Sequence, residues 1–179
     1  MKITREQLRR WGACYTDKKI ATLVPEEGLT PLEVAALDIP VEDRMWVLLR
    51  EDVIPARDLR LLACDWAESA CRKTGWNDER SIAAIAVGRR FAVGEATEAE
   101  LAEARYAAWE ARSAAWSDAG WPPRGAAAEA TAEASSSAWA SASSWAAKAA
   151  EWAARSAARS EKLADVVRVL RKSEGGTKA

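Results

Sequence analysis

The apolar positions fall into a run of short amphipathic segments, followed by a long tract whose apolar residues are almost all alanine or tryptophan. Thr4 with Gln7 has the spacing of a capping box and predicts a helix through about Tyr15. A short helix is expected from Asp17 to Val24, stopped by Pro25. Thr30-Pro31-Leu32-Glu33 places an N-cap threonine, a proline at the first helical position and a glutamate three beyond the cap, so another helix starts there. Pro40 begins a helix through Arg50 that carries Met45, Trp46, Leu48 and Leu49. Pro55 opens a longer one ending near Lys73, with Gly75 as its C-terminal cap. Asn77 reads as the cap of a helix to about Val93, ended by Gly94, with Ile82, Ile85 and Ala86 at helical spacing. Thr97-Glu98-Ala99-Glu100 is a third capping box. Its helix should reach Ala119 and span about 35 Å at ~1.5 Å per residue.

From Gly125 to Lys172 no Pro or further Gly interrupts the chain. One straight helix of that length would reach about 70 Å, in a domain expected to be about 40 Å across. A bend is therefore expected, first at Ser135-Ser136-Ser137 and second at Ser160, because serine competes for backbone hydrogen bonds. Residues 173–179 are expected to be a disordered tail. No segment alternates with period two, so no strand is predicted. The fold class is all-α. An irregular helical bundle over 1–93, with a Leu/Ile/Val core, packs on an Ala/Trp-rich helical hairpin or three-helix unit over 94–172, in one compact unit.

Composition sharpens this picture in the second half. Between Ala102 and Arg159 there is no Leu, Ile, Val, Met or Phe, while six of the ten tryptophans lie there (Trp109, Trp116, Trp121, Trp139, Trp145, Trp152). Alanine is the best helix former. It also lets helix backbones approach closely, and indoles fill the gaps it leaves. Net charge is −1, so no global field favours nucleic acid or an anionic membrane. Acids dominate from Gly94 to Ala134 and bases from Lys148 to Lys172, which would favour pairing of neighbouring helices. The opening Met1-Lys2-Ile3-Thr4-Arg5-Glu6 has no apolar stretch, so no signal peptide is expected, and the Ala-rich tract is interrupted by charged residues and is not expected to span a bilayer. With three cysteines and no disulfide spacing, the expected setting is a reducing cytoplasm.

Candidate chemistry is limited by what the chain lacks. It contains no histidine, which removes the commonest general base and metal ligand. Cys14, Cys64 and Cys71 form no C-x-x-C pair, so neither a metal site nor a cofactor is expected. Cys64 and Cys71 are seven apart on one helix face and read as small buried residues. No glycine pair has phosphate-cradling spacing. Asp78-Glu79 and Glu129/Glu133 sit where helices ordinarily carry acids.

One constellation stands out. Arg105, Trp109, Arg112 and Trp116 form a stripe on one predicted helix. Trp145, Lys148, Trp152, Arg155 and Arg159 form another on the last. Indole can stack a nucleobase and a cation can hold its phosphate, so facing stripes would bind a planar anion. The alternative is structural: Trp packs over Ala ridges, and cationic stems lie along the indole faces. Trp and Arg are also favoured at protein interfaces, and ten Trp beside one Phe and two Tyr imply that some indole is partly exposed.

The run Asn77-Asp78-Glu79-Arg80-Ser81, Ala84 to Ala92 and Gly94-Glu95-Ala96-Thr97 carries the pattern D-x-R-x-x-x-A-I-x-x-x-R-x-x-A-x-G-x-A-T. Together with Asp58 to Glu68 before it and the repeated Ala-Ala-Trp after it, this resembles Ala-rich helical immunity proteins of polymorphic-toxin systems and related Ala/Trp-rich phage and bacterial proteins. The likeness covers about Asp58 to Ala154. Arg10-Trp11-Gly12-Ala13-Cys14 and Asp43-Arg44-Met45-Trp46 are similar to phage-borne relatives. The resemblance implies a part in conflict between bacteria or between phage and host. Members of the group often carry histidine in the Ala-rich helix, and this chain does not. The expected activity is therefore non-catalytic: stoichiometric sequestration of a protein partner, or alternatively capture of a small nucleotide signal by the two stripes. Sequence-specific nucleic acid and membrane are not expected partners, and a homodimer is compatible with the Ala/Trp helices.

Overall fold

A computed structural model describes residues 1–117 and 159–175. Every regular element among the described residues is a helix: α1 (Arg5–Arg10), α2 (Asp17–Leu23), α3 (Pro31–Ala35), α4 (Val41–Leu48), α5 (Ala56–Thr74), α6 (Glu79–Ala92), α7 (Glu98–Ser117) and α8 (Arg159–Gly175). The all-α class is thus found. The only β-type pairing among these residues is an isolated antiparallel bridge between Ile3 and Leu29.

Local chemistry sets most helix starts. Thr4, Thr30 and Thr97 each accept from the backbone N–H three residues on, and Gln7, Glu33 and Glu100 reach back to the cap backbone. These reciprocal bonds satisfy amides that the first helical turn leaves unpaired. At α6 the cap is Asp78, not Asn77: its side chain accepts from the Arg80 and Ser81 amides. The Arg80 guanidinium also grips the Asp78 carboxylate and holds its pKa below the usual range, an attraction a neutral asparagine cannot supply.

Helix ends differ more from expectation. Helix α1 stops at Arg10 rather than near Tyr15. Gly12 takes a φ of +76°, its N–H returns to Arg9 and that of Ala13 to Leu8. That paired closure ends the helix five residues early, and glycine adopts its left-handed turn without side-chain strain. Gly75 and Gly94 close α5 and α6 as the sequence implied. Helix α8 runs through Ser160 and past Lys172 to Gly175, so Ser173 belongs to its last turn, where its hydroxyl donates to the Leu170 carbonyl. The Ser135–Ser137 bend lies outside the described residues.

The main core joins the two ends of the described chain. Ile3, Leu8, Ile20, Val34, Leu48, Leu49, Ile54 and Leu59 share it with Val166 and Leu170 of α8. Helix α8 packs on α3, α4 and α5, whereas α7 packs on α6 and α6 on α5. Among the described residues α7 and α8 pack on different partners, and most of the hairpin or three-helix unit expected over 94–172 lies outside the described residues. Ion pairs between described helices join Arg9 of α1 to Asp17 of α2, Arg89 of α6 to Asp65 and Glu68 of α5, and Arg90 of α6 to Glu100 of α7.

Helix α6 shows why apolar spacing misjudged its face. Ile82 is exposed and so is Ala86, while Ser81, Ala84, Ile85, Gly88 and Ala92 are buried. The helix lies between two others, and its contact faces carry small residues together with Ile85. Trp76 Nε1 donates to Ser81 Oγ at 3.0 Å, which satisfies the buried hydroxyl.

Candidate functional site

The Thr97 capping box fixes the start of α7, and alanine fixes its orientation. Leu101, Ala108 and Ala111 are buried, and Ala104 and Ala108 pack against Ala84 of α6. With the alanines inward, Arg105, Tyr106 and Trp109 face solvent. Trp109 is 52% exposed and Tyr106 62%. Their ring centroids are 6.2 Å apart and tilted by 31°, an aromatic pair in the range of favourable offset contact. Arg105 lies one turn before Trp109, on the same side of the helix.

The first predicted stripe is therefore present in part. Arg105 and Trp109 both lie outside the buried core. Arg112 and Trp116 continue along the α7 backbone, and their side chains lie outside the described set. Trp145, Lys148, Trp152 and Arg155 lie outside the described residues, and Arg159 opens α8. The facing of the two stripes is consequently not a feature of the described structure. Tyr106 was missed, although it stands three residues before Trp109, a spacing that brings helical side chains together.

The structural alternative, a cation lying along indole, occurs in the N-terminal half. Arg50 Cζ sits 4.1 Å from the Trp46 ring centroid and 5.2 Å from that of Trp11. Its Nε donates to the Trp46 carbonyl at 3.3 Å, and Trp11 Nε1 donates to Asp52 at 3.1 Å. Burial lowers the Arg50 pKa from its ordinary value, as desolvation does for a cation. Lys162 likewise lies 5.1 Å over Trp66. Arg50 and Trp46 are four apart, a local spacing, whereas Trp11 and the Trp66–Lys162 pair join distant parts of the chain.

Chemistry at the cysteines is suppressed where they are buried. Cys64 and Cys71 line the contact between α5 and α6, and burial pushes their thiols up to about 12 and about 11. A thiol that stays protonated at neutral pH is a poor nucleophile. Cys14 is exposed. Among the described residues no three Cys, Asp or Glu side chains gather as metal ligands would, and no helix is long and apolar enough to cross a membrane.

Two concave surfaces lie away from the α7 patch. Between α4 and α8, Arg44, Arg168 and Arg171 surround a floor that includes Val41, Leu163 and Val167. The second is an apolar cavity of about 290 Å³ in the N-terminal half, with Tyr15 and Asp43 at its polar end. Comparison with protein-family models, curated proteins and solved structures finds no match.

Proposed function

We propose that this chain is a non-catalytic binding protein that sequesters a partner stoichiometrically, as an immunity or anti-defence factor in conflict between bacteria or between phage and host. The observation that supports binding is the solvent-facing Arg105/Tyr106/Trp109 surface. Aromatic and arginine side chains of this kind dominate interface energetics, and an exposed indole beside an exposed phenol is not needed to hold α7 on α6. The missing histidine and the protonated buried thiols favour capture over turnover. The setting in conflict rests on the resemblance carried by Asp58 to Ala154.

A second reading follows from the same surface. The Tyr106/Trp109 pair offers a stacking face, and Arg105 offers a cation for phosphate, which suits a small nucleotide signal. Native mass spectrometry of the protein purified from a bacterial host with active defence systems separates the readings. An added mass of many kilodaltons supports a protein partner, and several hundred daltons a nucleotide. In either case Trp109→Ala should remove the added mass while the fold persists. A bare monomer from such a host, or a complex indifferent to Trp109→Ala, would sink the proposal.

A further inference from the structure

The N-terminal helices leave a cavity that the α7 surface does not involve. It holds about 290 Å³, near the small end of the range for ligand pockets. Apolar cavities of roughly 150 Å³ already accept benzene, so this one has room for a ring with a short side chain. Leu8, Ile20, Val34 and Val47 form much of its apolar wall, and these four are all buried. Such a wall gains by exchanging poorly bonded water for apolar ligand atoms.

One end of the cavity is polar and acidic. Glu42 and Asp43 both line it, brought there by the first turn of α4. Tyr15 donates its hydroxyl to Asp43 Oδ2 at 2.5 Å. That bond raises the Tyr15 pKa to about 12, so the phenol stays a donor and orients the carboxylate. A carboxylate in ionised form offers more acceptor sites than one phenol fills. Lys19 Nζ lies over the Tyr15 ring, 3.6 Å from its centroid, and the lining itself contains no Lys or Arg.

We infer that this cavity binds a small primary amine with an apolar, ring-sized body, the ammonium seated against Asp43. An anionic ligand of the same body would bring its charge against Glu42 and Asp43, so the site discriminates by sign as well as by shape. Capture here is independent of the Arg105/Tyr106/Trp109 surface, and Trp109→Ala should leave it intact.

The test uses two probes of nearly equal shape and opposite charge, 2-phenylethylamine and 3-phenylpropionate. Exposed Cys14 lies on the cavity lining and reports occupancy through its alkylation rate. The amine should protect Cys14 and raise the Tm, with an affinity at least about tenfold above that of the acid, a difference of about 1.4 kcal/mol. Asp43→Asn, which keeps an acceptor for Tyr15, should cut that preference below about threefold. Ala13→Phe, which fills the cavity, should abolish protection by the amine. No protection by either probe, equal affinity for both, or a preference untouched by Asp43→Asn would overturn the inference. The wild-type comparison decides it even where Ala13→Phe loses its fold.

Discussion

The indole Nε1 of Trp66 donates to Asp165 Oδ2 at 3.2 Å, linking α5 to α8 across 99 residues of chain. Trp66 is 4% exposed, so the bond sits beside a packed ring. Trp66→Ala should cost about 3–5 kcal/mol through the cavity it leaves. Trp66→Phe keeps most of the ring and should cost about 1 kcal/mol for the lost bond. In urea unfolding, Trp66→Phe combined with Asp165→Ala should be less destabilising than the sum of the two. Strict additivity would show that this bond does not hold α8 in place.

Neighbouring positions on α7 should respond in opposite ways. Ala108 is fully buried against α6, whereas Trp109 is half exposed. Ala108→Leu should therefore destabilise by about 1–3 kcal/mol through overpacking. Trp109→Ala should change stability by no more than about 0.5 kcal/mol. Thermal unfolding of the two variants checks this, and a large loss in Trp109→Ala would place the indole in a core.

Acid should loosen the helix starts. Glu33 and Glu100 accept from the Thr30 and Thr97 amides, and these bonds hold both carboxyls below their ordinary pKa values. Asp78 is held down by Arg80. A pKa depressed on folding contributes stability that is full above the unfolded value and is lost as pH falls through the folded one. Stability should thus decline from about pH 5 downward. Glu33→Gln and Glu100→Gln keep the capping geometry and should flatten that decline in denaturation curves. An unchanged acid limb would remove these carboxylates from the account.

The thiols should react at very different rates. In the folded protein Cys14 should label rapidly at pH 8, while Cys64 and Cys71 should wait for unfolding, since both are buried and shifted toward the protonated form. Mass spectrometry after brief alkylation should find a single label. Rapid labelling of Cys64 would mean that α5 and α6 separate readily.

A methyl group at Gly28 should be poorly tolerated. The residue has a φ of +77°, and an added Cβ would meet the Ile3 carbonyl oxygen at 2.8 Å. That carbonyl accepts from Leu29 N–H at 3.0 Å, so it cannot withdraw without breaking the bridge. Gly28→Ala should cost more than about 1 kcal/mol, read as a lower urea midpoint.

The features legible in the sequence are those decided within a few residues. Thr30 with Glu33 and Thr97 with Glu100 announce their helices because both partners of each bond are local. Gly75 and Gly94 mark ends for the same reason. Asp78 displaced Asn77 by one position through its attraction to Arg80. Helical spacing joins Ile82 to Ile85, yet Ile82 is exposed, because α6 packs mostly through small residues. At the candidate surface, the spacing of Arg105 and Trp109 was readable. Which side of α7 would be dry depended on Ala84 of another helix. The Trp11–Arg50 contact, the Tyr15–Asp43 bond and the cavity beside it join residues far apart in the chain, and no local pattern encodes them.

Val166 and Leu170 lie in one core with Ile3 and Leu8. A chain made from its N-terminal end forms α3, α4 and α5 long before the ribosome has added the helix that packs on them. These helices therefore cannot finish burying their apolar faces until α8 has been made. Completion of the native fold is a late event, set by the arrival of α8. Until then the nascent chain carries a sticky patch that folding helpers in the cell could recognise and shield.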